Sequence, residues 1–593
     1  MTALLAVVLV AIVVFPVNGV VAQAASTPKP TPSPSATSGR GVTPEATPTS
    51  KGTPTSKATP TSKATPKATP TPAKTTDAAP ETEPTPGSME PVVSSAGFTH
   101  PGVFDSLDSL ETSRKHLFAG DKPWTTVFQQ LVASPYVARE APDFSQFASA
   151  TATDPLSQRC SLDDPAGCVT YCGSFSVPDV GCTDARQDAR AVYAQALMYW
   201  YTGNAGYAQR AIAILNAYAT HFKGNVGSNG PLMTAWIGET MLRGAEILRY
   251  TYAPDEGDEA FDVKGFSTML RTTAVPTLST FDYGPYNGNW KLSAADSLIN
   301  TAVFLDDREL YNRALTMWRE AVPAYIYVSE DGRVPASPVS STGLYQSRTD
   351  LSCFWLANKV DSCQTDPKTD PHFGFQNGQA QESCRDFGHT ALGLGAIINA
   401  AETASIQGDD LYGEQQDRIM SGVLYAVQVS QTYEKEGWPR GFCDSATDLT
   451  ANLSLANLAA EVVYNAYAIR KGVHFSAIKI RGYSTSYPKN DPLAAFIAAR
   501  RTDRNPIGDV SAWEGLTHRL ANKPVQAIKY TEQPTPVVSA TARASATPTA
   551  EADSGDSGVV DSDLGFAMPA TVLGVAMAVA ASYLVMRHRR KPL

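Results

Sequence analysis

The side chains best suited to chemistry gather in one stretch, residues 378–412, which reads GQAQESCRDFGHTALGLGAIINAAETASIQGDDLY. If the whole stretch is one helix, Gln381, Arg385 and His389 lie on the same face over two turns, because residues four apart are neighbours. An amide, a guanidinium and an imidazole side by side suit an anionic ligand and a proton transfer. The alternative is structural: Arg385 pairs with a neighbouring carboxylate and His389 is a hydrogen-bonded core residue.

Composition limits the function classes. The chain has 593 residues, of which 43% are hydrophobic and 18% charged, and its net charge is −10. An acidic balance with no Lys/Arg-rich block in the central region argues against nucleic-acid binding. It does not exclude an anionic polysaccharide, because a local basic cleft is enough to bind one. No cluster of side chains suggests a catalytic metal site, and no motif implies an organic cofactor.

The first part of the chain is predicted to be a targeting signal and a stalk. Leu4–Val14 is a short apolar run, and the small-residue pattern Ala22-Gln23-Ala24 follows it, which is typical of a signal peptide occupying residues 1–25. Residues 26–96 are rich in Thr, Pro, Ser and Ala. Such a composition has too little apolar surface to build a core, so we expect a disordered stalk.

The other end of the chain is predicted to hold a membrane anchor. Residues 532–563 form a second disordered linker, and residues 564–586 are apolar over a length that spans about 30 Å of hydrocarbon. The basic tail 587–593 follows at once, which places it in the cytoplasm by the positive-inside tendency. We therefore expect a single-pass protein of the cell membrane whose folded domain, residues 97–531, is extracellular.

All eight cysteines lie inside the predicted folded domain. An even number in an exported domain favours disulfides, and zinc ligation is disfavoured because no CxxC pair occurs. The expected pairs are Cys160 with Cys168, Cys172 with Cys182, Cys353 with Cys363, and Cys384 with Cys443. The last of these bonds would join the polar stretch to a later loop.

The folded domain is predicted to be all-α, because long stretches place apolar residues at the 3.6-residue period and few alternate. The turn Thr202-Gly203-Asn204 joins two of the predicted helices into a hairpin. Successive antiparallel hairpins favour an α/α toroid or a helical solenoid, and the solenoid is disfavoured because no fixed-period repeat is found. The predicted helices include residues 185–201, 207–222, 232–250, 292–305, 308–325 and 451–471.

Several segments carry a resemblance to a known family. They are FTHPGVFDSLDSLETSRKHLFAGDKPW, DARAVYAQALMYWYTGNAGYAQRAIAILNAY, YNGNWKLSAADSLINTAVFLDDRELYNRA and NGQAQESCRDFGHTALGLGAIINAAETASIQGDDLY, which span most of residues 98–470. Together they resemble the alginate lyase-like superfamily of polysaccharide lyases, whose members are incomplete (α/α) toroids. The resemblance implies β-elimination on a uronic-acid polymer such as alginate or glucuronan.

That reaction sets three chemical requirements. The C5 proton of a uronate is only weakly acidic while the adjacent carboxylate is ionised, so the protein must stabilise charge on that carboxylate. A base must reach C5, and an acid must protonate the departing O4. We expect a monomer that meets these requirements with side chains alone and whose partner is the acidic polysaccharide.

The resemblance suggests which residues neutralise the carboxylate. Asn287 and Asn289 precede a predicted helix and would hold the uronate together with Gln381 and Arg385, and Arg385 resembles the family's arginine on the later helix. The alternative for the two asparagines is a turn around Gly288 that caps the helix.

The proton-transfer residues depart in part from the family pattern. His389 resembles the histidine that follows the family's arginine, but YNGNW lacks the family's upstream histidine, and no tyrosine follows His389 closely. A catalytic tyrosine must come from elsewhere, and Tyr286 and Tyr345 are the candidates, although most tyrosines serve packing. Glu382 and Trp290 complete the predicted substrate contacts.

Two further tryptophans, Trp236 and Trp355, could stack on sugar rings, although core packing is the commoner use of tryptophan in helical domains.

Two functions from other classes stay open. One is a glycoside hydrolase on a similar toroid, which needs a carboxylate pair across the cleft, for which Glu382 with Asp296 or Asp350 is the candidate arrangement. The other is a catalytically inactive glycan-binding surface protein, suggested by the missing histidine and tyrosine.

Overall fold

The structure is a computed structural model. It describes residues 90–163, 165–338, 347–357, 375–436, 443, 454–477, 491–500 and 508–519. The predicted signal peptide, second linker and transmembrane segment lie outside the described residues, as does the stalk up to residue 89. Within the described ranges, no helix combines the length and the apolarity needed to cross a bilayer. The described backbone begins at Glu90, before the expected domain start at residue 97.

The described chain is mostly helical, which confirms the prediction of a helical domain. Its α-helices are α1 (Leu107–Phe118), α2 (Trp124–Val132), α3 (Cys182–Thr202), α4 (Ala205–His221), α5 (Gly230–Thr251), α6 (Val263–Thr272), α7 (Ala274–Thr280), α8 (Gly288–Phe304), α9 (Arg308–Ala321), α10 (Arg348–Ala357), α11 (Phe387–Ile406), α12 (Leu411–Glu414), α13 (Gln416–Glu436), α14 (Ala460–Tyr464), α15 (Pro492–Arg500) and α16 (Glu514–Thr517). Its strands are β1 (Val92–Val93), β2 (Thr99–His100), β3 (Ala148–Ser149), β4 (Cys168–Cys172), β5 (Asp179–Val180) and β6 (Phe222–Val226).

The strands form two small sheets. β1 and β2 pair antiparallel, whereas β4 pairs antiparallel with β3 and β5 and parallel with β6. The ends of β4 are tied by two of the expected disulfides, Cys160–Cys168 and Cys172–Cys182, and a third joins Cys384 to Cys443. These three pairings are confirmed. The fourth expected pair includes Cys363, which lies outside the described residues.

Four long helices, α3, α5, α8 and α11, lie side by side in chain order. Each neighbouring pair of helices makes two contacts. In each pair, the contact made by the later residue of one helix is also made by the later residue of the other, so all four helices run in the same direction. Their N-termini therefore lie at the same end of the bundle. The contacts are Arg186 with Trp236 and Tyr199 with Thr251; Gly238 with Ser297 and Arg249 with Phe304; and Asn289 with Glu382, just before α11, and Asn300 with Thr403.

The remaining long helices pack against these four. α4 packs on α3, α9 on α8, and α13 on α11. The connection between α3 and α4 is the turn expected from the sequence: Gly203 has a positive φ of 66°, and the Asn204 side chain accepts a hydrogen bond from the backbone of Gly206. Between α9 and α11, the buried Trp318 donates its indole N–H to the carbonyl of Ile397 at 3.2 Å.

Strand β2 is fixed to the helical bundle through His100. Its Nδ1 lies 2.5 Å from Oε1 of Glu246 on α5, and its Nε2 lies 3.1 Å from Oδ1 of Asp306 after α8. Burial by itself lowers the pKa of His100, but the hydrogen bonds and charges of the two carboxylates outweigh burial and raise it. The imidazolium form is therefore favoured in the folded chain.

Two predicted helix starts are wrong. Residues 381–385 form turns, and α11 begins only at Phe387, because the side chain of Asp386 accepts a hydrogen bond from the backbone of His389 and caps the helix there. Gln381, Arg385 and His389 therefore do not form a stripe on one helix. The helix predicted over 451–471 begins at Ala460, and residues 451–453 lie outside the described ranges.

Candidate active site

The predicted site residues meet where α8 and α11 begin. The turn before α11 is held against the segment that follows α9, because the backbone N–H of Gln381 donates to the carbonyl of Tyr325 at 2.8 Å and the N–H of Tyr327 donates to the carbonyl of Gln379 at 2.9 Å. This pairing places Glu382 beside Asn289, the second residue of α8. Residues far apart in sequence are thus brought together by backbone pairing.

Glu382 is the anchor of this region and is 0% exposed. Asn289 Nδ2 donates to both carboxylate oxygens, at 2.8 and 2.7 Å. Arg385 Nη1 donates to Oε1 at 3.0 Å, and the hydroxyl of Tyr325 donates to Oε2 at 3.1 Å. Three side chains thus donate hydrogen bonds to this carboxylate, whose burial without partners would cost free energy.

These contacts bear on the roles expected for Asn289 and Glu382. The buried carboxylate of Glu382 accepts hydrogen bonds from three side chains, so it is directed into the protein. The amide N–H groups of Asn289 are directed at Glu382, and its Oδ1 is buried without a hydrogen-bond partner among the described residues. Asn289 and Glu382 therefore bond to each other in the described structure, and direct contact of either residue with the substrate stays a prediction.

Tyr325 is a site residue that the sequence did not reveal. It is fully buried, and its hydroxyl also lies 3.2 Å from the carbonyl of His389. Burial, followed by the charge of Glu382, raises the pKa of Tyr325 well above its ordinary value, so the phenol stays neutral. Two glycines make room for its ring: a Cβ on Gly393 would lie 2.2 Å from its Cζ, and one on Gly288 would lie 2.4 Å from its Cδ2.

His389 and Asp386 form a hydrogen-bonded pair at the first turn of α11. Asp386 Oδ2 lies 2.6 Å from His389 Nδ1, and its Oδ1 accepts from the His389 backbone at 2.8 Å. Burial raises the pKa of Asp386, but the hydrogen bonds and charge of His389, with the charge of Arg385, hold it below its ordinary value. An ionised carboxylate accepts only, so the Nδ1 atom carries the proton.

The other imidazole nitrogen is available for chemistry. The His389 side chain is 33% exposed, and its Nε2 makes no hydrogen bond within the part of the chain that the structure describes. With the proton on Nδ1, Nε2 carries a lone pair and can accept a proton. A carboxylate behind the ring then stabilises the imidazolium that forms.

Gln381 and Asn287 lock the turn to the start of α8. Gln381 Oε1 accepts from the backbone of Gly288 at 2.9 Å, and its Nε2 donates to Asn287 Oδ1 at 3.1 Å. Asn287 occupies the N-cap position of α8, but its side chain makes no capping bond. The side chains of this segment thus fix the turn before α8, and the Nδ2 group of Asn287 makes no hydrogen bond to a described residue.

Aromatic side chains form the wall next to this turn. The rings of Tyr286 and Trp290 lie 4.4 Å apart, and both stack near Phe281. Burial, followed by the charge of Asp282, raises the pKa of Tyr286, so its hydroxyl keeps its proton at neutral pH. Tyr286 and Gln381 line a small cavity of about 30 Å³.

A larger cavity of about 280 Å³ lies away from these residues. Its walls come from α2, α14, α15 and α16, with Val127, Leu455 and Phe496 among the apolar lining. None of the predicted site residues borders it, so its size does not connect it to the chemistry.

The remaining candidates are placed as follows. Tyr345 lies outside the described residues. Asp296 lies on α8 and is fully buried, and burial raises its pKa to about 7. A hydrolase needs two carboxylates facing an open bond, and neither Glu382 nor Asp296 reaches the surface. Asp350 is partly exposed on α10.

Trp355, expected as a possible sugar platform, is buried against Phe375.

Comparison with known proteins gives one family and several distant structures. The sequence profile of the alginate lyase family matches residues 180–337, which include Asn287 and Asn289 and end before the turn that carries Glu382. No curated protein matches the chain significantly.

Among solved structures, alginate lyase A1-III from Sphingomonas species A1 is 15% identical, with 71% of this chain and 96% of that chain covered and a TM-score of 0.39. An alginate lyase from Bacteroides ovatus is 12% identical, with 70% and 99% covered and a TM-score of 0.36. A substituted alginate lyase A1-III complexed with tetrasaccharide is 15% identical, with 66% and 92% covered and a TM-score of 0.36. These TM-scores are too low to establish a shared fold.

Proposed function

We propose that this chain cleaves a uronic-acid-containing polysaccharide, alginate- or glucuronan-like, by β-elimination at the cell surface, because residues 180–337 match the sequence profile of the alginate lyase family. The family is one of carbon–oxygen lyases that act on polysaccharides. The four parallel helices and the helices packed against them would close into the incomplete (α/α) toroid of antiparallel hairpins expected from the sequence. The predicted signal peptide and the apolar segment 564–586, both read from the sequence, support the proposed location.

The observation that carries the proposal is the His389–Asp386 pair standing beside Arg385. Only Nη1 of Arg385 is bonded to Glu382, and the rest of its guanidinium makes no hydrogen bond to a described residue. A planar fork with free N–H groups is suited to a carboxylate. Arg385, with Nδ2 of Asn287, would hold the uronate and stabilise the charge that develops when C5 loses its proton.

His389 is the proposed base. Its Nε2 would accept the C5 proton, while Asp386 keeps the ring in the required tautomer and stabilises the imidazolium. Electrons from the C5–H bond then form the C4–C5 double bond, and the bond from C4 to the bridging O4 breaks. Tyr286, whose raised pKa keeps it protonated, is the described tyrosine proposed to donate a proton to O4.

The test is turnover of a polyuronate panel by the full-length protein. Alginate, glucuronan, hyaluronan, chondroitin and heparin are incubated with it, and absorbance of the unsaturated uronide is followed. We expect signal on at least one polymer and its loss in His389→Gln. The matched control is His116→Gln, because His116 also pairs with a carboxylate, Asp121 at 2.7 Å, but lies on α1.

Three outcomes are distinguishable. Activity in the parent and in the control, with none in His389→Gln, supports the lyase and its base. Silence of the parent on every polymer contradicts the lyase. Tight binding of a polymer without turnover, unaffected by the His389 substitution, favours the glycan-binding protein instead.

A further inference from the structure

Two arginines on α3, one of which faces a tryptophan, lie outside the proposed reaction at His389. Arg186 and Arg190 are one turn apart, and the guanidinium of Arg186 lies 5.6 Å from the ring centroid of Trp236 on α5. Both arginines contact Oδ1 of Asp509, through Nη2 of Arg186 at 2.6 Å and Nη2 of Arg190 at 2.7 Å. A carboxylate on two guanidiniums beside an aromatic face is the arrangement that binds a sugar acid.

Asp509 reaches these arginines on a segment that lies among the parallel helices. The backbone carbonyl of Asp509 accepts from Thr240 Oγ1 on α5 at 3.3 Å. The next carbonyl, that of Val510, accepts from Arg243 on α5 at 3.2 Å and from Asn399 on α11 at 2.7 Å. The segment around Asp509 therefore contacts three of the four parallel helices at once.

We propose that Arg186, Arg190 and Trp236 form a second uronate-binding subsite, and that Asp509 occupies its carboxylate position while no substrate is bound. This inference rests on the proposed function, because it takes its ligand from the same polyuronate. Substrate binding then competes with a carboxylate of the chain itself, and the segment around Asp509 is an internal inhibitor of long-chain binding.

Unused donors at this place support the exchange. Nε of Arg186 and Nε1 of Trp236 are buried without a hydrogen-bond partner among the described residues. Asp509 offers the arginines one oxygen, whereas an incoming carboxylate could present two. The side chains of Arg186, Arg190 and Asp509 are 25%, 14% and 18% exposed, so solvent and a ligand reach them.

The position of Asp509 decides which sugar this subsite would hold. Asn399, which contacts the residue next to Asp509, is ten residues beyond His389 on α11, or about 15 Å along the helix axis. We therefore assign the two arginines to a different sugar from the one that reacts at His389. They would bind another unit of the same chain, so the effect must depend on oligomer length.

The experiment measures binding to the full-length chain carrying His389→Gln, which removes turnover. Short and long oligomers of the polymer that the parent cleaves are titrated by calorimetry. Adding Asp509→Asn should tighten the long oligomers about tenfold and leave the short ones unchanged, because a competing carboxylate is removed. Adding Arg190→Gln to that variant should reverse the gain. Glu414→Gln, which breaks the Arg319–Glu414 pair, is the matched control.

A structural ion pair gives a different pattern. Asp509→Asn would then lower the melting temperature and leave the affinity for long oligomers as it was, which overturns the proposal. If that variant does not fold, Arg186→Gln serves instead: weaker long-oligomer binding supports the subsite, and unchanged binding overturns it. A parent that neither cleaves nor binds any polyuronate refutes the proposed function, whereas an active parent whose variants bind like it refutes only this inference.

Discussion

Replacing Asp386 by asparagine should remove most of the activity and leave the fold almost unchanged. Asp386 acts through two oxygens: Oδ1 caps α11 by accepting from the His389 backbone, and Oδ2 accepts from the imidazole Nδ1. Asparagine keeps an oxygen for the cap, and the two residues are equally good at N-cap positions. Its amide N–H₂, however, faces Nδ1 and moves the imidazole proton to Nε2, where the base must be free.

The expected magnitudes separate the two effects. A positioned general base contributes about 10²–10⁴-fold to the rate, or about 2.7–5.4 kcal/mol of barrier. The free energy of unfolding should change by less than about 0.5 kcal/mol in Asp386→Asn. Asp386→Ala loses the cap as well, so its unfolding free energy should fall by about 1 kcal/mol in addition.

The assay compares kcat on the active polymer with denaturant unfolding of the same preparations. The control is Asp262→Asn, since Asp262 caps α6 by accepting from Gly265 at 2.8 Å and is hydrogen-bonded to no histidine among the described residues. It should keep both activity and stability. A parental kcat in Asp386→Asn, or a loss of activity only in proportion to the fraction unfolded, would refute a base-positioning role for Asp386.

Three further outcomes are expected. Tyr325→Phe removes a hydroxyl donor from a buried carboxylate, so the free energy of unfolding should fall by about 1–3 kcal/mol in urea titrations, and an unchanged value would contradict the anchoring role. The folded-state pKa of His100 is raised, so its stabilisation is full below the unfolded pKa and is lost as pH rises through the folded value. The melting-temperature gap between parent and His100→Gln should therefore shrink at alkaline pH, and a widening gap would contradict that assignment. Replacing Cys384 and Cys443 by serine removes their disulfide and should lower the free energy of unfolding by about 2–4 kcal/mol. Reductant should lower the melting temperature of the parent by breaking this bond, an effect that the variant cannot show.

The helical architecture could be predicted because helices follow from local sequence patterns. The hairpin of α3 and α4 follows from apolar periodicity on both sides of Gly203, whose positive φ a side chain would strain. Disulfides between cysteines close in sequence, such as Cys160 and Cys168, were also within reach, because a short loop leaves few alternatives.

The site was predictable only in part. Arg385 and His389 stand out in the sequence because their residue types are unusual on a solvated face, and the structure places them beside Glu382 and Asp386. The capping role of Asp386, three residues before His389, was missed, since Gln381 to Arg385 are all compatible with a helix and the periodicity gave no reason to start later. Tyr325 carries no local signal at all, because the carboxylate that it contacts is 57 residues away.

The most direct test of β-elimination is mass spectrometry of the products made in water labelled with the heavy oxygen isotope. Elimination uses no water, so the account predicts unsaturated oligosaccharides without the label, and none from His389→Gln. Saturated products that carry one labelled oxygen would show hydrolysis and contradict the account.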